Sequence, residues 1–307
     1  MLIGIHDAEK EHFKHKTFPN LALMKISAYH KLQGDTVEWW FQMDNHKYDV
    51  VYSSKIFDFT EENPYLPPNT IKGGTGYNVK SKLPDYIDDQ YPDYSLYPEC
   101  DYAIGFLTRG CIRKCPWCVV PEKEGYIKPY RTWGEIVRPD SDKLIIMDNN
   151  ILASEHGIEQ LRQLSQTQYR IDINQGMDAR LVNKSIVELL KEIKWIRFIR
   201  FSCDTVSQIK SIENVYKLFK EVGAPVSRIF VYTIIRKDIS EACERIEALK
   251  KLKSINIYAQ AEENLSKGIV PNAEQKEFAN RYIYGKLYKK ETWTEYCHRK
   301  NLKYTEE

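Results

Sequence analysis

The stretch GFLTRGCIRKCPWCVVPEKEG, residues 105–125, decides how the rest of the chain is interpreted. It holds three of the seven cysteines, at Cys111, Cys115 and Cys118. This C-x3-C-x2-C spacing allows one short loop to present three thiolates to the same small metal centre. An odd number of cysteines cannot all pair, and clustered cysteines suit metal ligation better than a disulfide framework. The sequence therefore predicts a metal site.

Two kinds of metal centre are open at this point. A [4Fe-4S] cluster ordinarily takes four cysteine ligands, so three adjacent cysteines would leave one iron open to another ligand. The alternative is a structural zinc site completed by Cys100 or a histidine. No second C-x2-C or H-x3-5-H pair follows downstream, which favours the cluster. The remaining cysteines are scattered and are predicted to be buried or indifferent thiols.

Apolar segments that predict strands recur after Cys100, and helical patterns separate most of them. The predicted strands are 102–107, 144–147, 169–173, 195–201, 228–235 and 255–259. The predicted helices are 159–164, 183–193, 206–222 and 240–252. Six β-α repeats predict a parallel sheet, open or curled into part of a barrel, with the chemistry at the carboxyl ends of the strands.

The first part of the chain has β-α-β order and predicts a small Rossmann-like α/β unit. Its predicted elements are a strand at 3–5, a helix at 19–33 and strands at 36–41 and 48–52. Residues 63–98 are rich in Pro, Gly, Asp and Tyr and predict an interdomain connector. The GGTG run at 73–76 predicts a turn, because no helix pattern follows it. We therefore expect domains at 1–98 and 99–287 and a tail at 288–307.

Composition excludes some partners and does not name one. Lys and Arg total 45 against 43 Asp and Glu, so the strong basic excess of nonspecific nucleic-acid binders is absent. No apolar run is long enough to span a membrane, and the first residues do not resemble a secretory signal. A cytoplasmic protein without a membrane partner is expected. Residues 282–304 interleave Lys and Arg with Tyr and Trp, but acidic residues break the run, so a helix packing its aromatic side chains is favoured over nucleic-acid binding.

The cysteine spacing, with Trp117 directly before the third cysteine and a strand before the loop, resembles the signature of the radical SAM enzymes. The resemblance covers about residues 99–287. It implies a partial (β/α)6 barrel preceded by the small Rossmann-like α/β domain, and an oxygen-sensitive [4Fe-4S] cluster held by the three cysteines. It also implies S-adenosylmethionine at the open iron and a low-potential electron donor such as flavodoxin or ferredoxin. Reduction would then yield methionine and a 5′-deoxyadenosyl radical that takes hydrogen from an unidentified substrate.

The resemblance also assigns residues to cofactor binding. Trp117 is one of them, and weaker family features give the others. The segment MDNN, at 147–150, occupies the place of the family's Gly-Gly-Glu segment, although its residues differ. The resemblance thus implies that Asp148 and Asn149 meet the methionine amino group. A capped turn is the alternative for Asp148.

The resemblance extends to the ends of the third and fourth predicted strands. In INQGMDAR, at 173–180, it implies that Gln175 and Arg180 face cofactor or substrate, with Arg180 near the carboxylate. In FSCDT, at 201–205, it implies that Ser202 and Asp204 contact the ribose hydroxyls. Asp204 or Thr205 could equally cap the helix that follows.

The N-terminal unit resembles a cobalamin-binding domain, but the Asp-x-His-x-x-Gly pattern that ligates cobalt is absent, so no cobalamin is expected. Two further classes of function stay open. One is a zinc-stabilised nucleic-acid-binding module, and the other is a cluster-bearing electron carrier that binds no S-adenosylmethionine. No residue identifies a catalytic acid or base, and none chooses the type of radical reaction.

Overall fold

The computed structural model describes residues 1–13 and 18–304. The strands are β1 Leu2–Asp7, β2 Thr36–Trp39, β3 Val50–Ser54, β4 Ile71–Gly73, β5 Ala103–Gly105, β6 Thr108–Arg109, β7 Lys128–Pro129, β8 Lys143–Ile146, β9 Arg170–Ile173, β10 Met177–Asp178, β11 Ile199–Ser202, β12 Ile229–Ile235 and β13 Asn256–Ala261. The helices are α1 Ala8–Phe13, α2 Leu21–Leu32, α3 Asp85–Asp88, α4 Val120–Lys123, α5 Trp133–Ile136, α6 Glu155–Ser165, α7 Lys184–Glu192, α8 Ile209–Glu221, α9 Ile239–Lys250, α10 Ala273–Glu277 and α11 Trp293–Arg299.

The N-terminal sheet is parallel, with strand order β2-β1-β3-β4. Helix α2 covers it and is capped by Asn20, whose side chain accepts a hydrogen bond from the Leu23 N–H at 3.2 Å. The predicted strands and helix of this unit are confirmed, whereas β4 was missed inside the connector. The GGTG turn is also confirmed: a Cβ at Gly74 or Gly76 would collide with the carbonyl oxygens of residues 55 and 57. These glycines allow close backbone packing.

The six strands predicted after Cys100 are all present, and they pair in parallel. One sheet has the order β5-β8-β9 and the next β10-β11-β12-β13. A parallel bridge between Ile171 and Trp195 joins β9 to the segment that leads into β11. The prediction of a mixed α/β fold with parallel sheets is therefore confirmed.

Alternation along β12 separates the two faces of the second sheet. Ile229, Val231 and Ile235 are fully buried and belong to the core beneath the helices. Phe230 and Tyr232 point to the opposite face and stay partly exposed. Because successive side chains of a strand face opposite sides, every second residue of these strands is available to a cavity rather than to the core.

The amphipathic helices cover the buried face as their patterns predict. On α8, the buried side chains Ile212, Val215 and Phe219 follow the spacing of one helical face. The helix begins at Ile209 rather than at residue 206, because Val206–Gln208 forms a 3-10 turn. A short antiparallel pair, β6 with β7, flanks the cysteine stretch and was not predicted.

The C-terminal segment packs its aromatic side chains inward, as the favoured interpretation predicts. Tyr282, Trp293 and Tyr296 are buried at 1%, 8% and 1% exposure. A π-helical turn, Phe278–Ile283, precedes this packing and was not predicted. The last three residues of the tail assignment lie outside the described residues. In the described ranges, no helix has the length and apolar character needed to cross a bilayer.

Candidate functional site

The cysteine loop leaves β6 and returns to β7, and its two ends are joined by hydrogen bonds. The Cys111 N–H donates to the Gly125 carbonyl at 3.1 Å, and the Cys118 N–H donates to the Cys115 carbonyl at 3.0 Å. Gly110 precedes the first cysteine with φ of +90°, and a Cβ there would collide with the Tyr126 carbonyl oxygen. Only glycine suits this crossing of the two loop ends.

The three cysteines line one cavity of about 1230 Å³ and form no disulfide. Each is partly exposed. The Cys111 sulfur accepts from the Arg113 N–H at 3.3 Å and from the Asn150 amide nitrogen at 3.4 Å. Across residues 1–13 and 18–304, no group of three or more His, Cys, Asp or Glu side chains is arranged to hold a single metal ion.

The electrostatic surroundings favour protonated thiols when no cation is bound. Burial raises the pKa of both Cys115 and Cys118, and the Asp204 carboxylate raises that of Cys115 further. A bound metal reverses this preference, because a coordinated thiol loses its proton. The other four cysteines lie outside the lining of this cavity.

Asp148 is not part of the cavity lining, although the resemblance assigned it to cofactor binding. Its carboxylate is 1% exposed and accepts from the Leu107 N–H at 2.7 Å, the Thr108 N–H at 2.6 Å and the Thr108 hydroxyl at 2.5 Å. It therefore fills neither the cofactor role nor the local capped turn that the sequence left open, because its hydrogen bonds go to residues distant in the chain. Burial raises the pKa of Asp148 to about 6, although these hydrogen bonds act to lower it. The carboxylate holds the backbone that leads into the cysteine loop.

Asn149 does line the cavity, and it contacts a residue that sequence reasoning missed. Glu124, 9% exposed, accepts from the Asn149 amide at 3.0 Å and from the Gly110 N–H at 2.9 Å, and pairs with Arg109 at 2.8 Å. One carboxylate thus joins both ends of the cysteine loop to the end of β8. Its only sequence signal is its place directly before Gly125, where the loop closes.

Glu124→Ala is expected to loosen the cysteine loop without unfolding the chain. Three donors lose one shared acceptor, so a metal held by the loop should be released about tenfold faster, as for other residues that orient metal ligands. Iron release to a chelator after reconstitution measures this. Glu122→Ala, a change at an exposed neighbour, is the control. Equal release from both variants would show that Glu124 does not support the loop.

At the end of the third repeat, two arginines converge on one carboxylate. Asp178 accepts from Arg113 Nε at 2.8 Å and from Arg180 Nε at 2.7 Å. Burial alone would raise the pKa of Asp178, but the hydrogen bonds from Arg180 and Arg113 hold it below its usual value. Arg113 belongs to the cysteine loop, so this cluster also connects the loop to β10. Gln175 and Arg180 both line the cavity.

The remaining assigned residues also line the cavity: Trp117, Ser202 and Asp204. The Arg236 guanidinium lies 5.1 Å from the centre of the Trp117 ring. Asp204 accepts from the Ile234 N–H at 2.9 Å, and burial raises the pKa of its carboxyl. It does not cap a helix with its side chain; instead, its own N–H and that of Thr205 donate to the Gln208 side chain.

Four residues that line the cavity each have one buried polar atom without a hydrogen-bond partner among the described residues. These atoms are Asn150 Oδ1, Asn174 Oδ1, Arg200 Nε and Thr233 Oγ1. Buried polar groups are normally paired, so these four residues are unusual within the cavity lining. Neither Asn150 nor Asn174 was singled out in the sequence, because nothing local distinguishes an asparagine that faces a cavity.

The cavity thus combines a cysteine loop, polar strand ends and unpaired hydrogen-bonding atoms. No protein-family model matches this chain, and the comparison with curated proteins gives no significant match.

Proposed function

We propose that this chain is a radical SAM enzyme built on a partial (β/α)6 barrel of β5, β8, β9, β11, β12 and β13. One observation carries the proposal: Cys111, Cys115 and Cys118 line the same cavity as the polar residues that follow the neighbouring parallel strands. Active sites of parallel α/β folds lie at the carboxyl ends of their strands. The sequence signature and the position of the cavity therefore point to the same edge.

The donor set suits the cluster that the signature implies. Three thiols come from one loop, and polar side chains such as Asn150 and Asn174 share the cavity lining with them. Cys111, Cys115 and Cys118 would hold a [4Fe-4S] cluster, which leaves one iron without a protein ligand. When bound, the cluster supplies one-electron reductive cleavage of S-adenosylmethionine to methionine and a 5′-deoxyadenosyl radical.

The chain's own contribution is to bind and orient S-adenosylmethionine. The amide oxygens of Asn150 and Asn174 are unpaired acceptors suited to an ammonium group. Arg180, held by Asp178, is a donor for a carboxylate. These three side chains lie at the ends of the second and third repeats, so acceptors and a donor are available to the two ends of an amino acid.

Ser202 and Asp204 would serve the ribose, because a hydroxyl and a carboxylate both accept hydrogen bonds from sugar hydroxyl groups. Asp204 is oriented by the Ile234 N–H. Trp117, on the cysteine loop, packs against Arg236 and would shield this end of the cavity from water. Cofactor chemistry of this kind depends on the protein for orientation and water exclusion.

An electron donor must reach the cysteine loop from outside. Lys114 and Pro116 on this loop are exposed. A low-potential carrier such as flavodoxin or ferredoxin would dock there, in a cytoplasmic and oxygen-poor setting. Cobalamin has no part in this proposal.

The test is formation of 5′-deoxyadenosine by protein that has been purified without oxygen, reconstituted with iron and sulfide, and reduced with S-adenosylmethionine present. We expect product from the wild type and none from a variant in which Cys111, Cys115 and Cys118 are all alanine. Deuterium transfer from candidate substrates into the product would then identify the substrate. No product together with stoichiometric zinc would overturn the proposal in favour of a metal-stabilised binding module.

A further inference from the structure

The cavity has a second end that the proposed cofactor site does not use. Aromatic side chains from three strand regions and the C-terminal segment line it in an unbroken run: Phe198, Phe230, Tyr232, Tyr258 and Tyr284. The ring centres of Phe198 and Phe230 are 4.8 Å apart, and those of Phe230 and Tyr258 are 6.3 Å apart and nearly parallel. Tyr258 lies 6.4 Å from Tyr284.

Strand register brings these rings together on the open face of the sheet. Phe230 pairs with Arg200 and Asn256, and Tyr232 pairs with Ser202 and Tyr258. The aromatic run therefore begins at the amino ends of the strands, whereas the cysteine loop lies at the carboxyl ends. None of the five rings is fully buried, so they offer ring surface to a ligand rather than only to one another.

The C-terminal segment contributes Tyr284 and Lys286 to the cavity through two unusual backbone conformations. The π-helical turn Phe278–Ile283 ends directly before Tyr284, which is 71% exposed. Lys286 follows with φ of +59°, a left-handed conformation that a lysine rarely adopts. Both π-helical turns and such backbone strain occur preferentially at functional sites. Here they place Tyr284 and Lys286 in the cavity lining.

The charges differ between the two ends of the cavity. The carboxylates in its lining are Asp178, Asp204, Glu262 and Glu263, all at or beyond the carboxyl ends of strands. The aromatic end has Arg197, Arg200 and Lys286. Arg200 pairs with the buried Asp172, but no described carboxylate lies within ion-pair distance of Arg197 or Lys286. Arg197 lies 4.6 Å from the centre of the Phe198 ring. This end therefore attracts an anion.

We propose that the aromatic end binds a nucleotide as the substrate, with its base stacked on the aromatic run and its phosphate paired with Arg197. Base stacking on aromatic side chains and phosphate pairing with Arg or Lys are the two interactions that nucleotide sites combine. The inference rests on the proposed function, since it names the substrate class of that cavity. A free nucleotide and a nucleotide within a single strand share this chemistry.

Isothermal titration calorimetry on the full chain tests the proposal, with and without S-adenosylmethionine. The probes are guanosine and uridine 5′-monophosphates, their nucleosides, and a short single-stranded oligonucleotide. We expect the monophosphates to bind more tightly than the nucleosides, with an affinity that falls as salt rises. Tighter binding of the oligonucleotide would assign the site to a polymer, and tighter binding of a monophosphate to a free nucleotide. Absence of binding by every probe would overturn the proposal.

Matched variants separate the aromatic end from the rest of the molecule. Tyr258→Leu and Arg197→Gln are each expected to weaken nucleotide binding roughly tenfold. Tyr284→Ala, at a largely exposed ring, tests stacking without a risk to folding. Tyr86→Leu and Lys217→Gln, at exposed side chains remote from the cavity lining, should change nothing. Equal losses in the cavity and control variants would contradict the assignment.

The outcome is distinguishable from that of the radical assay. Nucleotide binding that persists in the triple alanine variant, without 5′-deoxyadenosine from the wild type, would support this inference and overturn the proposed function. 5′-Deoxyadenosine formation without nucleotide binding would support the proposed function and overturn this inference. Full competition by S-adenosylmethionine, with no effect of Tyr258→Leu, would place the nucleotide at the cysteine end and overturn the inference.

Discussion

Replacing any one of Cys111, Cys115 and Cys118 with alanine is expected to lower reconstituted iron from about four atoms per chain toward none. Each thiolate would supply one of only three protein ligands, and no other cysteine among the described residues lines the cavity to replace it. Formation of 5′-deoxyadenosine should fall to the background of the triple variant. Iron analysis and the absorbance of the reconstituted protein measure the first effect, and product assay measures the second.

Cys243→Ala and Cys297→Ala are the matched controls, because both cysteines lie outside the cavity lining. They should keep full iron and full product formation. Retention of iron by all three single variants of the loop would contradict a cluster at this position. Iron near eight atoms per chain in the wild type would instead indicate a second cluster.

Asp148→Ala is expected to produce the largest loss of stability among the polar side chains around the site. The change removes the acceptor of Leu107 N–H, Thr108 N–H and the Thr108 hydroxyl, and both residues are fully buried. Each buried donor left unpaired costs about 1–3 kcal/mol, so the free energy of unfolding should fall by about 3 kcal/mol. Urea denaturation followed by circular dichroism measures the change.

Asp140→Ala provides the control, since that carboxylate is 66% exposed and lies just before β8, whereas Asp148 follows it. It should change the free energy of unfolding by less than about 1 kcal/mol. An equal effect of the two substitutions would show that the contacts of Asp148 do not stabilise the loop.

The same carboxyl group predicts a pH dependence. Burial raises the pKa of Asp148 from 3.8 to about 6 in the folded chain, with Arg109 nearby acting in the opposite direction. Because the folded state binds this proton more tightly, the stabilising contribution of protonation is full below about pH 4 and is lost as pH rises through 6. The gap in unfolding free energy between wild type and Asp148→Ala should thus be about 2 kcal/mol smaller at pH 7 than at pH 4. A gap that widens with pH would contradict the raised pKa.

Periodicity alone was enough to predict most of the regular structure. The apolar run at 228–235 and the helical spacing of Ile212, Val215 and Phe219 are local patterns, and both elements are present. Elements without a strong local pattern were missed. The short β6 and β7 pair, for example, exists because the two ends of the cysteine loop meet, which no local pattern reports.

The candidate site was predictable only in part. Trp117, Asn149, Gln175, Arg180, Ser202 and Asp204 all line the cavity with the three cysteines, as the assignment to one site requires. Asp148 turns the other way, because three donors from the strand end before the loop already occupy its carboxylate. Asn150 and Asn174 were overlooked, since an asparagine shows its role only through the partners that it lacks.

The sequence by itself determined the β-α order, the amphipathic faces and the clustering of three cysteines, because these depend on residues close together in the chain. Only the tertiary structure decided which side chains share the cavity. Glu124 reaches Asn149 across 25 residues, Arg113 reaches Asp178 across 65, and the ring of Phe198 meets Phe230 through strand register. Such contacts depend on how loops close and strands align, and these are set by the packing of the whole core rather than by local residue patterns.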